Sequence, residues 1–300
     1  MSEYYLRQDM AAGELAGARD AGGLLAWAGA VAARAAPEDI FRDREGRRTL
    51  RVRQGERSFF LKLHRGVGWS EILKNLLQAR LPVLGAGNEY RAVLAVRKAG
   101  IDTLEIAAYA EQGCNPARLR SMLLTDELVG TRSLEHFCAG WSAAPPPFPV
   151  RVRLLVTLAE TANRMHAAGI NHRDFYLCHF HLDPATLGER RPRCHLIDLH
   201  RAQLRSRTPR RWRVKDLAAL YFSALDCGLG QRDLLRFIRH YGGGLREALA
   251  DEALWRQVQR RASRLYRREH GREAPRAGEP RAGEPRAGEP RAGEPPAGGT

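Results

Sequence analysis

Two acids and a lysine stand out in this chain by their settings. Asp174 follows His172 and Arg173 at the point where an apolar helical pattern gives way to a short strand-like run. Asp198 interrupts a second apolar run, His195 to Leu199, one hairpin further on. Lys62 lies inside Phe59-Phe60-Leu61-Lys62-Leu63. A loop carboxylate can orient a hydroxyl and take its proton, a carboxylate at a strand end can hold a hard cation, and a strand lysine can meet phosphate oxygens. These are the parts that phosphoryl transfer from ATP with Mg²⁺ asks of a protein. Asp174 is therefore the candidate catalytic base, Asp198 the candidate metal ligand and Lys62 the candidate phosphate contact.

The elements needed to position them are legible around them. Alternating apolar residues with Gly-containing turns predict a three-stranded antiparallel meander over Ile40–Leu63, with Lys62 in its third strand. A capped helix is expected at residues 70–79 and another at Glu89–Lys98. Glu89 shares its helix's apolar stripe with Val93 and Val96, and an acid there needs a cation. Lys62 is the natural partner, with Glu71 as the alternative acid. Strand-like runs at Thr103–Ala110 and Ser121–Thr125 lead to Asp126 and Leu128, where a kinase offers backbone groups to adenine. A strong helix from Arg151 to Ala168, ended by Gly169, delivers the His-Arg-Asp loop. Asp216 is expected at the head of a helix over 217–224, where it can brace that loop.

Two features depart from protein kinases. No Gly-x-Gly-x-x-Gly loop precedes Lys62, so basic side chains or another loop must cover the phosphates. The position five after Asp174 is His179 rather than asparagine, and a histidine is a poor ligand for Mg²⁺, so it is carried as a second metal candidate with an open role. A zinc site from Cys178-His179 and Cys194-His195 is disfavoured, because neighbouring strand residues face opposite ways.

The charge distribution points the same way. The formal net charge is +15, which favours polyanionic partners. Arg201, Arg205, Arg207, Arg210, Arg211, Arg213 and Lys215 lie between Asp198 and Asp216 with no acid among them, in the segment where kinases bind the acceptor. Arg173, Arg201, Arg205, Arg210 and Arg211 are the acceptor-binding candidates. Five cysteines without a CxxC pair fit neither a disulfide framework nor a zinc module, and no apolar run is long enough to span a bilayer.

Runs along the chain carry a family resemblance. Phe60-Leu61-Lys62-Leu63-His64-Arg65-Gly66, Leu81-Pro82-Val83-Leu84-Gly85-Ala86, Met165 through Asp174, Ile197 through Arg205 and Pro209-Arg210-Arg211-Trp212-Arg213 closely resemble the lipopolysaccharide core heptose(I) kinases of Gram-negative bacteria. The resemblance covers about residues 38 to 243 in order. It implies an α+β, bilobal, eukaryotic-protein-kinase-like fold, with a small, mostly antiparallel β N-lobe and a mainly helical C-lobe. It also implies use of ATP and Mg²⁺ to phosphorylate a hydroxyl of the first inner-core heptose. The expected place is the cytoplasmic face of the inner membrane, with Asp174 as the base. Histidine at 179 fits this family's pattern.

The expected layout is a leader at 1–37 with room for one short helix, an N-lobe at 38–128, a C-lobe at 129–250, a basic amphipathic helix at 251–270 and a disordered Pro-Arg-Ala-Gly-Glu repeat at 271–300. The helix is expected to lie on anionic lipid, with docking on the C-lobe as the rival. Expected partners are the lipopolysaccharide inner core, the anionic inner-membrane surface and an acidic soluble protein. The competing readings are a polyanion-binding protein with a degenerate kinase fold, and a kinase for another core sugar or for protein. Nucleic acid is disfavoured as a partner, because aromatics are few and no RNA-binding signature occurs.

Overall fold

The computed structural model describes residues 2–11, 15–44, 46–66, 68–69, 73–74, 85–275 and 277. The helix expected at 70–79, Glu71 within it, and the repeat tail beyond 277 lie outside the described residues, apart from a helical Leu73-Lys74.

A six-stranded antiparallel sheet occupies the first part of the chain. Its strands are β1 (Ser2–Leu6), β2 (Ile40–Arg44), β3 (Arg47–Gln54), β4 (Arg57–His64), β5 (Ile106–Gln112) and β6 (Arg120–Asp126), in the order β1-β5-β6-β4-β3-β2. The expected meander is β2-β3-β4, with Lys62 opposite Thr49 on one side and Leu123 on the other. Period-two alternation splits β4 between two faces. Phe59, Leu61 and Leu63 join a core with Leu50, Met122 and Leu124, while Lys62 looks the other way.

The expectation of a leader fails here. β1 pairs with β5 from Ser2↔Gln112 to Leu6↔Ala108. Helix α1 (Ala21–Arg34) lays Leu24, Leu25, Ala28 and Ala32 on the Phe59–Leu61–Leu63 face. The physical reason lies in the sheet: both of its faces carry large apolar side chains, and one helix can cover only one of them. Asp20 starts α1 by accepting a hydrogen bond from the Gly23 amide at 2.7 Å. Helix α2 (Gly87–Lys98) covers the opposite face, burying Ala92, Val93 and Val96 with Tyr109 and Leu123.

The rest is mainly helical: α3 (Leu134–Cys138), α4 (Phe148–Ala167), α5 (Arg210–Ala224), α6 (Gln231–Gly242), α7 (Leu245–Ala250) and α8 (Glu252–His270). Short strands lie among them: β7 (Arg132–Ser133) with β9 (Phe180–Leu182) and β10 (Cys194–Leu196), and β8 (Ile170–Asn171) with β11 (Gln203–Leu204). Gly169 ends α4 at φ +77°, and a Cβ there would collide with the Arg205 carbonyl. The Arg205 amide donates to the Gly169 carbonyl at 3.0 Å, which fixes where the loop leaves the helix.

Two helices differ from expectation. α5 begins at Arg210, so Asp216 sits inside it, fully buried, rather than at its head. α8 does not offer its apolar stripe outward: Leu254, Val258, Ala262 and Tyr266 are buried in a packing against α5. The rival docking is what forms, because a four-residue repeat of apolar side chains finds a matching helix within the chain. No helix among the described residues is long and apolar enough to cross a membrane.

Candidate active site

Lys62, Glu89 and Asp198 meet although they lie far apart in the chain. The Lys62 Nζ donates to Glu89 Oε1 at 2.6 Å and stands 3.8 Å from Asp198 Oδ1. Glu89 is only 2% exposed, so its charge depends on this partner. Burial alone would lower the Lys62 ammonium, but the two carboxylates hold its pKa above the ordinary lysine value. Next to Glu89, the Asn88 amide donates to the carbonyls of His200 and Ala202 at 2.8 and 2.9 Å. Two adjacent residues on α2 thus tie both the strand lysine and the segment after Asp198 to one helix end.

Arg173 and Asp198 are the only non-glycine residues with positive φ among the described ones, at +77° and +61°. Such backbone costs about 1–3 kcal/mol each and persists only when its surroundings hold it. For Arg173 the holder is Asp216, whose carboxylate accepts from the amides of His172 at 2.8 Å and Arg173 at 2.9 Å. The buried His172 ring donates through Nε2 to the Ile197 carbonyl at 2.9 Å, which joins the Asp174 loop to the Asp198 turn. Burial keeps His172 below the ordinary histidine range, so the ring stays neutral.

Asp198 accepts from His200 Nδ1 at 2.6 Å, and His179 Nε2 lies 3.6 Å from its other oxygen. Burial works against its charge, yet His200, Lys62 and His179 together hold the carboxyl well below the usual range. It is a hard oxygen donor kept ionised, as a Mg²⁺ ligand must be. His179 fits that role poorly: its Nδ1 hydrogen-bonds the Asp174 carbonyl at 2.6 Å. Burial opposes its protonation, but hydrogen bonds with Cys178 and Asp174 and the nearby Asp198 charge raise the ring to about 9. No group of three or more His, Cys, Asp or Glu among the described residues could by itself enclose a metal. A divalent ion here would need oxygen ligands from the phosphates.

Asp174 lies on the other side of this junction, and both of its oxygens accept from Arg201 Nη1 at 3.0 Å. The arginines expected to bind the acceptor divide. Arg173, Arg205 and Arg211 gather with Lys215 around the Trp212 ring. Arg210 does not join them; it pairs with Asp251 at 2.8 Å. Asp126 turns its carboxylate to Arg7 at 2.7 Å, and the Leu128 carbonyl accepts from Thr131 at 2.9 Å, both at the end of β6. His64, buried on β4 opposite Arg47, is pushed down to about 3 by burial and the charges of Arg47 and Lys62.

Asn88, His200 and Trp212 were not among the candidates. Asn88 follows Gly85-Ala86-Gly87, His200 lies two residues after Asp198, and Trp212 stands within the basic run Arg210–Lys215, where none of the three has a feature of its own. Only adjacency to Glu89, Asp198 and Arg213 could have drawn attention to them.

An α+β fold that sets a strand lysine, a helix glutamate and two loop aspartates in this relation defines an ATP-dependent phosphotransferase of the kinase-like class. The profile of the lipopolysaccharide kinase (Kdo/WaaP) family matches residues 31–241, and the chain belongs to that family. It is 50% identical over 235 residues to the lipopolysaccharide core heptose(I) kinase WaaP of Pseudomonas aeruginosa, covering 77% of this chain and 87% of that one. It is 46% identical over 233 residues to the Escherichia coli protein of the same name, covering 77% and 88%. A solved structure of WaaP in complex with acyl carrier protein superposes with a TM-score of 0.72 at 41% identity, covering 88% of this chain and 99% of that one.

Proposed function

We propose that this protein transfers the γ-phosphoryl group of ATP to a hydroxyl of the first heptose of the lipopolysaccharide inner core. The observation that carries the reading is the convergence of Lys62, Glu89 and Asp198 beside a His172-Arg173-Asp174 loop pinned by Asp216. The identity to core heptose(I) kinases supports the choice of acceptor.

In this reading Asp174 orients the acceptor hydroxyl and takes its proton, and Arg201 holds the carboxylate until the acceptor arrives. Lys62 contacts the phosphates, with Glu89 fixing its ammonium. Asp198 would hold Mg²⁺, which supplies charge neutralisation on the phosphates. His179 faces Asp198 as a charge partner at 3.6 Å and hydrogen-bonds the Asp174 carbonyl, which ties Asp198 to the Asp174 loop, rather than acting as a metal ligand. On the β2-β3 hairpin Arg42 stands near Lys62 and Arg47 opposite His64, and the two take the part of the missing glycine-rich loop. The backbone at Asp126 and Leu128 meets adenine. The fold is bilobal, with a sheet lobe that begins at Ser2 rather than at residue 38 and ends near residue 128. A helical lobe runs from there to residue 270.

The test is labelled phosphate transfer from ATP to inner-core lipopolysaccharide lacking heptose phosphate. Asp174→Asn and Asp198→Asn should each lose about 10³-fold in kcat. Full activity in both would overturn the mechanism.

The exposed face of α8 carries Arg256, Arg260, Arg261, Arg264, Arg267 and Arg268, a surface for an acidic partner at the inner membrane. Beneath it lies a cavity of about 260 Å³ lined by Leu134, Leu158, Leu220, Phe237, Trp255 and Val258. A basic rim over an apolar chamber suits an acyl carrier protein, the partner in the related complex, with an acyl chain entering the chamber. Acylated carrier protein should raise the melting temperature and the unacylated form should not. Equal effects of the two would remove the cavity's role.

A further inference from the structure

Arg173, Arg205 and Arg211 place their guanidinium carbons 5.6, 5.5 and 5.5 Å from the centre of the Trp212 ring, and the Lys215 ammonium is 5.4 Å from it. Four cations around one indole repel one another, and each cation–π contact returns only about 0.5–2 kcal/mol. The nearby acids do not balance them. Asp174 is engaged by Arg201 on both oxygens, and Asp216 accepts from the amides of His172 and Arg173 deep in the core. Arg205 is held by the side-chain oxygens of Asn171 and Gln203, which carry no charge. The cluster also leaves two buried N–H groups, Trp212 Nε1 and Arg173 Nε, with no hydrogen-bond partner. Burying donors unpaired beside a surplus of positive charge is costly, and an anion from outside removes both costs at once. Burial, with the charges of Arg173 and Arg201, also holds the Lys215 ammonium below its ordinary value, a strain that an anion would relieve.

From this we infer that the Trp212 cluster is a second acceptor subsite, which binds the carboxylate of an acidic sugar next to the heptose that is phosphorylated. The inference rests on the heptose kinase reading and deepens it. Arg173 directly precedes Asp174, so the subsite adjoins the reacting hydroxyl. A carboxylate matches the planar guanidinium fork and the single indole N–H. The subsite would then select the acceptor by its charged neighbour, with the ATP side untouched. Lys215 and Trp212 act here as specificity residues and not as catalytic ones.

The experiment compares two soluble inner-core acceptors, one native and one whose sugar carboxylates have been reduced to primary alcohols. The parent protein should show a KM about tenfold higher for the reduced acceptor, with the KM for ATP unchanged. Lys215→Ala should raise the KM for the native acceptor about tenfold and lose most of the discrimination. Trp212→Phe keeps the ring and removes the N–H, and should produce a smaller change of the same kind, with a melting curve confirming the fold. Equal kcat/KM for both acceptors in the parent would overturn the subsite, as would full discrimination retained in both variants. A parent that binds ATP yet phosphorylates neither acceptor would overturn the heptose reading and the subsite with it.

Discussion

The clusters on the two sides of Asp174 hold charge in opposite ways. At Lys62 one ammonium sits between two carboxylates, Glu89 at 2.6 Å and Asp198 at 3.8 Å, and His200 and His179 complete Asp198. At Trp212 four cations converge with no carboxylate among them. The first cluster balances its charges within the chain, whereas the second gathers cations around one ring with no paired carboxylate. Preorganised charge is useful where phosphoryl transfer needs fixed geometry. Unbalanced charge is useful where selection of a charged substrate is needed.

Breaking the balanced side should have the largest effect. Glu89→Gln leaves Lys62 with Asp198 as its one close acid among the described residues and a buried amide in place of a carboxylate, and loss of one partner of such a pair costs about 3–5 kcal/mol. We expect a fall in kcat/KM for ATP of about 100-fold and a lower denaturation midpoint, with the acceptor KM little changed. A variant of parental ATP kinetics would show that the pair is ornamental to the chemistry.

A smaller effect should come from acid, through His64 on the Lys62 side. Its folded pKa, about 3, lies below the unfolded value, so the unfolded chain binds more protons as pH falls. Stability is therefore intact above about pH 6.5 and declines toward pH 3, by at most about 1.4 kcal/mol per pH unit. Denaturation of His64→Gln as a function of pH should show a flatter acid limb. Identical limbs would remove His64 from the balance.

The smallest effect should come from Arg210, which is already neutralised by Asp251 at 2.8 Å and half exposed. Arg210→Ala should change the acceptor KM less than about threefold, since exposed ion pairs are worth ~0–1 kcal/mol. A loss as large as that of Lys215→Ala would mean that the unbalanced cluster extends further than the Trp212 ring.

The candidate site was largely readable because its residue types are unusual where they stand. A lysine in an apolar strand, an acid on an apolar helix stripe and an aspartate closing a strand each break a local pattern, and a broken pattern has a position in the sequence. Helix periodicity puts Glu89 on the apolar stripe with Lys62 as its natural partner and Glu71 as the alternative acid, and the 2.6 Å contact joins Lys62 to Glu89. The start of the chain was not readable in the same way. Ser2–Leu6 is a short, exposed edge strand, and α1 is small and Ala/Gly-rich, so neither shows a strong period.

By itself, then, the sequence determined which side chains could do chemistry and which elements carry them, because local periodicity and isolated charges are properties of neighbouring residues. The tertiary structure decided three things that depend on what lies across space. It placed Ser2–Arg34 on the sheet, since a two-faced sheet needs a second cover. It turned the apolar stripe of α8 inward against α5. It also sorted one run of arginines into Arg210, spent on Asp251, and the group around Trp212 that is left without an acid, because the partner of a charge is set by folding and not by spacing.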